Sequence, residues 1–389
     1  MATIKIGVIG CGGISGHHLK TLRGGGLAAQ DVKLTAFCDV DRERALARRK
    51  EFGDGGALAT TDYVELLDGG GDAVVVCTPH PFHPEAAIAA FERDIHVVLE
   101  KPVAVTVGQA RAINAAHKKS RSIYTVHFQN RHEHRYRWVK QEITNGLVGR
   151  LHKINIVWNQ CYRSQAYYDS GTWRGRWTTE GGGVTMNQCP HDLDLFTWWF
   201  GLPRRVDARM WLGRCHDIEV EDEIVALVTF EGGGIGTINA TTCDWPGAMR
   251  WEILGENGAI SINGEDVRAA RRREPLSRYT KTTDQLWAPP EVFPVEMKPP
   301  AAGGPAGTES IWLNFLAAIR GEEPVFMDGE EGALSLELAN AIIASGFLGE
   351  PVDLPLDEAL YDGVLARLRS GESGAALSRQ RGKKKPKTS

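Results

Sequence analysis

Residues 4–16 read Ile-Lys-Ile-Gly-Val-Ile-Gly-Cys-Gly-Gly-Ile-Ser-Gly. The run 4–9 is short, apolar and rich in β-branched residues, and it stops at glycines, which predicts a buried strand. A helical stretch through Leu19 and Leu22 follows the glycine loop. Gly10 and Gly12 permit a tight turn and a close approach of backbone to a pyrophosphate. The free N–H groups and positive dipole end of the next helix would hold its charge. The third position of this spacing is Ser15, small enough for close packing of helix on strand. A second strand, expected at 34–38, ends at Asp39, whose carboxylate can accept hydrogen bonds from ribose hydroxyls and would repel a 2′-phosphate. The pattern therefore predicts NAD as cofactor in preference to NADP. Arg42 and Arg44 could attract a phosphate, but they read as solvated positions on the first turns of a helix capped by Asp41.

Outward from this stretch, strands and helices alternate at short spacing. Arg42–Phe52 reads as a helix, 72–77 as a strand, Pro84–Arg93 as a helix, His96–Leu99 as a strand, Val107–Lys119 as a helix and Ile123–His127 as a sixth-strand candidate. That alternation predicts a doubly wound parallel sheet of the Rossmann type. After about residue 128 the pattern changes. Glu133–Asn145 reads as a helix, and strands are expected at 150–159, 206–211, 223–230, 234–242, 250–254 and 259–262. Glu231-Gly232-Gly233 and Glu256-Asn257-Gly258 suit hairpins, so an antiparallel meander is expected. Residues 268–305 read as an irregular arm, with helices returning at 309–320, 330–348 and 356–368.

Composition agrees with two kinds of domain. All 11 tryptophans lie at or after Trp138. The 389 residues are 42% hydrophobic and 24% charged, which excludes a disordered or collagen-like chain. The net charge of −4 offers no basic surface for nucleic acid or anionic lipid, and no apolar run is long enough for a membrane span. The N-terminus lacks the pattern of a signal peptide. The seven cysteines are odd in number and form no C-x-x-C pair, which reads as reduced thiols in the cytoplasm and argues against a zinc site. No metal is expected. The basic end (Arg379, Arg381, Lys383, Lys384, Lys385, Lys387) reads as a disordered solubilising tail.

Four motifs give the chain a resemblance to a family. Gly-Val-Ile-Gly-Cys-Gly-Gly-Ile at 7–14, Cys-Thr-Pro-His at 77–80 with His83, and Glu-Lys-Pro at 100–102 are three of them. Gly-Gly-Gly at 181–183 with His191 and Asp194 downstream is the fourth. Together they resemble the glucose–fructose oxidoreductase, inositol dehydrogenase and MocA family over roughly residues 4–365. The resemblance implies an N-terminal Rossmann domain (1–128) and a C-terminal α+β substrate-binding and oligomerisation domain with a large open, mostly antiparallel sheet (129–370). The tail would be 371–389. It also implies hydride transfer between a nicotinamide cofactor and a sugar or cyclitol hydroxyl. Cofactor contacts are expected from Gly10, Gly12, Gly13, Ile14, Asp39, Thr78, Pro79, His80, His83, Glu100 and Lys101.

Lys101 follows the strand at 96–99, where a doubly wound sheet places its ligand crevice, and Pro102 keeps it out of the helical region. Its ammonium could favour the alkoxide of a reacting hydroxyl, and a cis Lys101–Pro102 bond is implied by the resemblance. Asn187 and His191 stand four apart and would project from one face if a helix begins near them; Pro190 suits its first turn, which puts Asn187 at or just before the start. His191 is the expected proton acceptor. Where many relatives carry Asp, Asn187 cannot be a base but can hold a substrate hydroxyl. The Asn-Gln-x-x-His form resembles a branch acting on hexoses, amino sugars and sugar derivatives. Asp194 is expected to fix helix or loop structure. Trp173 and Arg174 are expected at the substrate, by stacking on a sugar ring and by forking onto hydroxyls or a carboxylate. Gln129 is expected near the nicotinamide side.

The leading expectation is an NAD-dependent oxidation of one ring hydroxyl, with a 3-keto product. One alternative is a glycoside-cleaving enzyme that oxidises C3, eliminates and regenerates NAD. Another is a non-catalytic NAD-binding regulator, disfavoured by the retention of Lys101 and His191. Self-association to a dimer or tetramer through the C-terminal sheet is expected, because a large one-sided sheet needs a cover.

Overall fold

The computed structural model describes residues 3–297 and 304–372, so the tail expected at the C-terminus lies almost wholly outside the described residues. The chain divides into two compact units. Among the described residues, the first is built from 3–133 and 304–336, the second from 134–297 and 337–372.

The first unit is a six-stranded parallel sheet in the order β3-β2-β1-β4-β5-β6. Its strands are β1 (Ile4–Ile9), β2 (Val32–Cys38), β3 (Leu58–Thr60), β4 (Ala73–Val76), β5 (His96–Leu99) and β6 (Tyr124–Val126). The helices α1 (Gly13–Leu22), α2 (Arg42–Phe52), α3 (Tyr63–Asp68), α4 (His83–Phe91) and α5 (Val107–His117) alternate with them. β1 pairs in parallel with both β2 and β4, so the direction of winding reverses beside it. That reversal opens the crevice in which such sheets bind their ligands, at the carboxyl ends of the strands. β4 is buried at every position, the near-continuous apolar run of a strand covered on both faces. α2 begins at Asp41, whose side chain accepts from the N–H groups of Glu43 and Arg44, as its cap position predicts.

The short β3 and α3 escape the sequence reading, because three- and six-residue elements carry too little periodicity. The domain division also differs from a break at residue 128. The helix Gly307–Ile319 joins the first unit's core, with Trp312, Phe315 and Leu316 packed in one cluster with Ile4, Leu19, Leu34 and Phe37. Burying three such side chains contributes roughly 1.5–3 kcal/mol each.

The second unit holds a nine-stranded sheet in the order β14-β13-β12-β11-β7-β10-β9-β8-β15. Its strands are β7 (Leu151–Trp158), β8 (Arg205–Leu212), β9 (Glu221–Thr229), β10 (Ile235–Thr241), β11 (Met249–Gly255), β12 (Gly258–Asn263), β13 (Asp266–Arg272), β14 (Val292–Val295) and β15 (Val352–Asp353). Helices α6 (His134–Thr144), α7 (Gln165–Asp169) and α8 (Pro190–Phe200) also belong to this unit. Both expected hairpins form, at β9/β10 and β11/β12. The sheet is not a pure meander: β10 pairs in parallel with β7 at its centre.

Nor is 268–305 simply an irregular arm. β13 pairs with β12 through a tight turn at Gly264, whose φ of +59° suits glycine, and β14 extends the edge. The arginines of β13 hide the strand in the sequence: Arg268 and Arg271 are exposed and only Ala269 is buried, so no apolar alternation marks it. Among the described residues, no helix is long and apolar enough to cross a membrane.

The triple glycine has a steric reason. Gly181 and Gly182 have φ of +85° and +155°, and a Cβ on Gly183 would be driven into the carbonyl oxygen of Glu221 at the start of β9. Gly183→Ala is therefore expected to lower the unfolding free energy by about 2–3 kcal/mol. Gly232→Ala, which would meet no atom within 4 Å, is expected to change it by less than about 0.5 kcal/mol. Urea denaturation followed by tryptophan fluorescence measures both.

Candidate active site

In the first unit the carboxyl ends of β1, β2 and β4 gather the expected cofactor residues. Gly10 has φ of +92°, and a Cβ there would lie 2.6 Å from the Cys77 carbonyl, so only glycine lets the loop pass beside the end of β4. Gly12 and Gly13 face open space, with nothing within 4 Å of a built Cβ. α1 starts with no side-chain cap and no acidic residue in its first turn, so no carboxylate opposes a phosphate at its N–H groups. Ser15 is buried and donates from Oγ to the Gly12 carbonyl (2.7 Å), which fixes the loop to the helix.

Asp39 stands half-buried at the end of β2. Its Oδ2 accepts from the Cys11 N–H (2.7 Å) and its Oδ1 from the Asp41 N–H (2.9 Å). Each oxygen keeps a lone pair for a ribose hydroxyl. Arg44 turns onto Asp41 (3.2 Å), as expected of a solvated helix position. Thr78, after β4, has a buried Oγ1 with no hydrogen-bond partner among the described residues. An orphan hydroxyl, an open glycine loop and an uncapped helix start together fit NAD, a polyol diphosphate with many donors and acceptors. Ile14 is 42% exposed on the same loop.

Glu100 and Lys101 follow β5. The Glu100 carboxylate is buried. Its Oε1 lies 2.8 Å from His18 Nε2 and 3.0 Å from His127 Nδ1, and its Oε2 accepts from the Lys101 N–H (3.1 Å). Trp312 Nε1–H donates to His18 Nδ1 (3.0 Å), so the His18 ring proton sits on Nε2 and points at Glu100. Burial pushes His18 down to about 4, so it is neutral at pH 7. Burial alone would raise Glu100, but His127 and His18 outweigh it and hold the carboxyl well below its usual range. The donor atoms of His18, Glu100 and His127 lie within 4.8 Å of one another, and hydrogen bonds account for the cluster without a metal. The Lys101–Pro102 bond is cis.

His83 lies between the ends of β4 and β5. It is fully buried, with Nδ1 2.8 Å from the Pro102 carbonyl and Nε2 2.9 Å from that of Thr78. It joins the segments that follow β4 and β5. Glu100 likewise has its carboxylate taken up by the protein. His80 is 4% exposed beside it, while Pro79 is half-exposed. Gln129 belongs to the first unit, not the second. It lines a cleft of about 430 Å³ with His17, Thr21, Glu133 and Thr308, and its Oε1 accepts from Thr308 Oγ1 (3.4 Å).

In the second unit a polar cluster forms around Tyr167 on α7. Asn187 sits in the wide turn Val184–Gln188, which closes with a bond from the Cys189 N–H to the Val184 carbonyl, five residues back. Asn187 and His191 therefore do not share one regular helix, since α8 starts only at Pro190. Asn187 is nearly buried, and its Nδ2 donates to Glu180 Oε1 (2.5 Å). That fixes the amide: Oδ1 points the other way, as an acceptor. Glu180 Oε2 accepts from the Gly175 N–H, and burial pushes its carboxyl up to about 7. Gln188 Nε2 donates to the Tyr167 hydroxyl (2.9 Å). The Arg174 guanidinium lies 4.3 Å from the Tyr167 ring centre and 4.4 Å from that of Trp173. His191 is half-exposed in the first turn of α8, and Asp194 is fully buried on the same helix.

The sequence did not single out Tyr167, Glu180, His18 and His127, and it marked Gln188 only as part of the Asn-Gln-x-x-His form. Glu180 directly precedes the triple glycine and Gln188 directly follows Asn187, so adjacency was the available signal for both. The histidines gave none.

Comparison with known proteins places both parts of the chain in one family. A family profile for an oxidoreductase family with an NAD-binding Rossmann fold matches residues 4–128, and one for the GFO/IDH/MocA C-terminal domain matches 136–261. Inositol 2-dehydrogenase of Rubrobacter xylanophilus is 27% identical over 370 residues, covering 90% of this chain and 92% of its own. D-glucoside 3-dehydrogenase of Escherichia coli K12 is 24% identical over 339 residues, 83% of this chain and 91% of its own. The crystal structure of the WlbA dehydrogenase from Chromobacterium violaceum, in complex with NADH and UDP-GlcNAcA, superposes with a TM-score of 0.77 at 29% identity. It covers 91% of this chain and 97% of that one.

The His18 pairing predicts a pH dependence. A folded-state value below the unfolded 6.5 means stability is fully present above about pH 6.5 and is lost as pH falls through about 4. Nitrogen NMR of the histidine rings is expected to show His18 neutral and protonated on Nε2 down to about pH 5. An imidazolium at pH 6 would refute the pairing.

Proposed function

The chain belongs to the glucose–fructose oxidoreductase, inositol dehydrogenase and MocA family of NAD-binding oxidoreductases, and on that premise we propose how it acts. It is a sugar or cyclitol dehydrogenase. The reaction oxidises one ring hydroxyl of a sugar, sugar derivative, glycoside or cyclitol to a ketone, at C3 of a pyranose ring. The carrying observation is Glu100, whose buried carboxylate fixes the backbone of Lys101 at the mouth of the β5 end.

The loop from Gly10 to Ile14 and the start of α1 hold the pyrophosphate of NAD, and Asp39 holds the adenosine ribose. Thr78 and Pro79 line the crevice beyond them. Bound NAD supplies the hydride acceptor. Lys101 donates a hydrogen bond from its ammonium to the reacting hydroxyl and lowers the cost of its alkoxide. His191 takes the hydroxyl proton. Asn187, turned by Glu180, presents its carbonyl oxygen to a neighbouring substrate hydroxyl. Trp173 offers a ring face to the sugar. Arg174, already ordered against Tyr167, spends little side-chain entropy in forking onto hydroxyls or a carboxylate. The crystallised WlbA relative carries a sugar of that charged kind, UDP-GlcNAcA. The free thiols accord with the cytoplasm as compartment, and the exposed Val225, Leu227, Ile235 and Leu254 on one sheet support self-association.

Purified protein is assayed for reduced-nicotinamide absorbance with NAD or NADP and a panel of hexoses, uronates, glycosides and inositols. A rise with NAD and one substrate class is expected, falling at least about 100-fold in kcat for Lys101→Ala and for His191→Ala. Asp39→Ala is expected to raise the KM for NAD about tenfold. Turnover of a glycoside without net NADH would replace this reading with the NAD-recycling one.

A further inference from the structure

We propose that Cys215 and Cys243 form a reversible dithiol–disulfide site, oxidised by peroxide, that clamps the segment carrying Tyr167, Trp173 and Arg174. The sheet brings the two thiols together. Trp211 of β8 and Thr241 of β10 both pair with Glu223 of β9, so the chains leaving β8 and β10 emerge on either side of one strand. Both then turn inward over Asp222. The sulfur atoms of Cys215 and Cys243 and a carboxylate oxygen of Asp222 lie within 4.8 Å of one another. Cys243 Sγ also donates to the Asp222 carbonyl (3.8 Å).

Three donors draw that cluster toward metal ligation, but Asp222 is already occupied. Its Oδ1 accepts from the Arg214 N–H (2.9 Å), and its Oδ2 lies within hydrogen-bond distance of the Cys215 N–H, the His216 N–H and His216 Nδ1. What remains is two adjacent sulfurs on separate loops. Cys215 is exposed and Cys243 half-buried. Burial holds the Cys243 thiol well above its usual value, so Cys215 is the sulfur that meets an oxidant first.

The chemistry balances with hydrogen peroxide or an organic hydroperoxide as oxidant. The Cys215 thiolate attacks the peroxide oxygen and becomes a sulfenic acid, and the other oxygen leaves as water or alcohol. Cys243 sulfur then attacks the sulfenic sulfur. The S–S bond forms, the S–O bond breaks, and the second water leaves with the Cys243 proton. The two thiols lose two electrons and two protons in all, and a cytoplasmic thiol reverses the step by exchange.

Both cysteine loops grip the same segment. From the Cys215 side, the Asp217 N–H donates to Gln165 Oε1 (2.8 Å), the Glu219 N–H to the Gly175 carbonyl (2.9 Å), and His216 Nε2 lies 2.8 Å from the Arg163 carbonyl. From the Cys243 side, the Arg163 N–H donates to the Thr242 carbonyl (3.0 Å), and Thr242 Oγ1 meets the Tyr168 hydroxyl (3.1 Å). A covalent bond between the two loops removes the opening that would let residues 163–177 detach from either.

The test treats full-length protein with hydrogen peroxide and maps its peptides. A Cys215–Cys243 linked peptide is expected, removed by dithiothreitol and absent from Cys215→Ser and Cys243→Ser. Oxidation that stops at a sulfinic acid on Cys215, or that pairs either cysteine elsewhere, would overturn the site. Hydrogen exchange is then compared between reduced and oxidised protein. Amides within 163–177 are expected to exchange about tenfold more slowly when oxidised, with no change in Cys243→Ser. Equal exchange in both states would overturn the clamp. Neither readout depends on the dehydrogenase reaction.

Discussion

A carboxylate taken out of water must be met by donors, and in the first unit Glu100 organises everything around that need. His18 from α1, His127 after β6 and the backbone N–H of Lys101 converge on its two oxygens. Trp312, from the distant helix Gly307–Ile319, fixes the tautomer of His18 and so the direction of its proton. Thr308 of the same helix lies 2.9 Å from His127 Nε2 and 2.9 Å from His17 Nε2. One buried charge therefore ties the loop at the end of β5 to the first helix, the last strand and a helix that returns from far along the sequence. Removing any donor would leave part of that charge unmet in a low dielectric, which costs far more than an ordinary hydrogen bond contributes.

The second unit solves a related problem with a different outcome. Glu180 and Glu221 are both buried and both pushed up to about 7 by burial, which outweighs the backbone N–H groups that face each of them and the Asn187 amide and Arg174 charge that pull Glu180 down. Glu221 accepts from the Gly183 and Thr185 N–H groups, and Glu180 from Gly175 and Asn187. These contacts hold the glycine turn and the wide turn that follows it. The carboxylate that Asn187 lacks is present one side chain away. It orients the Asn187 amide.

Much of this was legible from residues alone. The glycine loop, the strand ending at Asp39 and the alternation of elements carried strong local signals, since tight turns and buried parallel strands restrict residue type severely. Pro190 was correctly placed at a helix start. Other features depend on tertiary pairing. β13 is a strand because β12 pairs with it, and its arginines alone would not predict one. The helix Gly307–Ile319 has an evident apolar face, but nothing in its periodicity says which core receives it. The contacts of His83 with two backbone carbonyls appear only in the fold, because its motif gives no sign of which groups its ring nitrogens meet. The roles of His18 and His127 appear only when the fold brings them to Glu100.

Direct hydride transfer from a ring carbon of a sugar or cyclitol to NAD, dependent on Lys101, is the step we propose. The most direct measurement is a single turnover with protein in excess over NAD and a substrate deuterated at its ring carbons, with the cofactor trapped and weighed by mass spectrometry. One deuterium is expected on the nicotinamide of the reduced cofactor with the wild-type protein and none with Lys101→Ala. Substrate conversion with a cofactor that acquires no deuterium would contradict it.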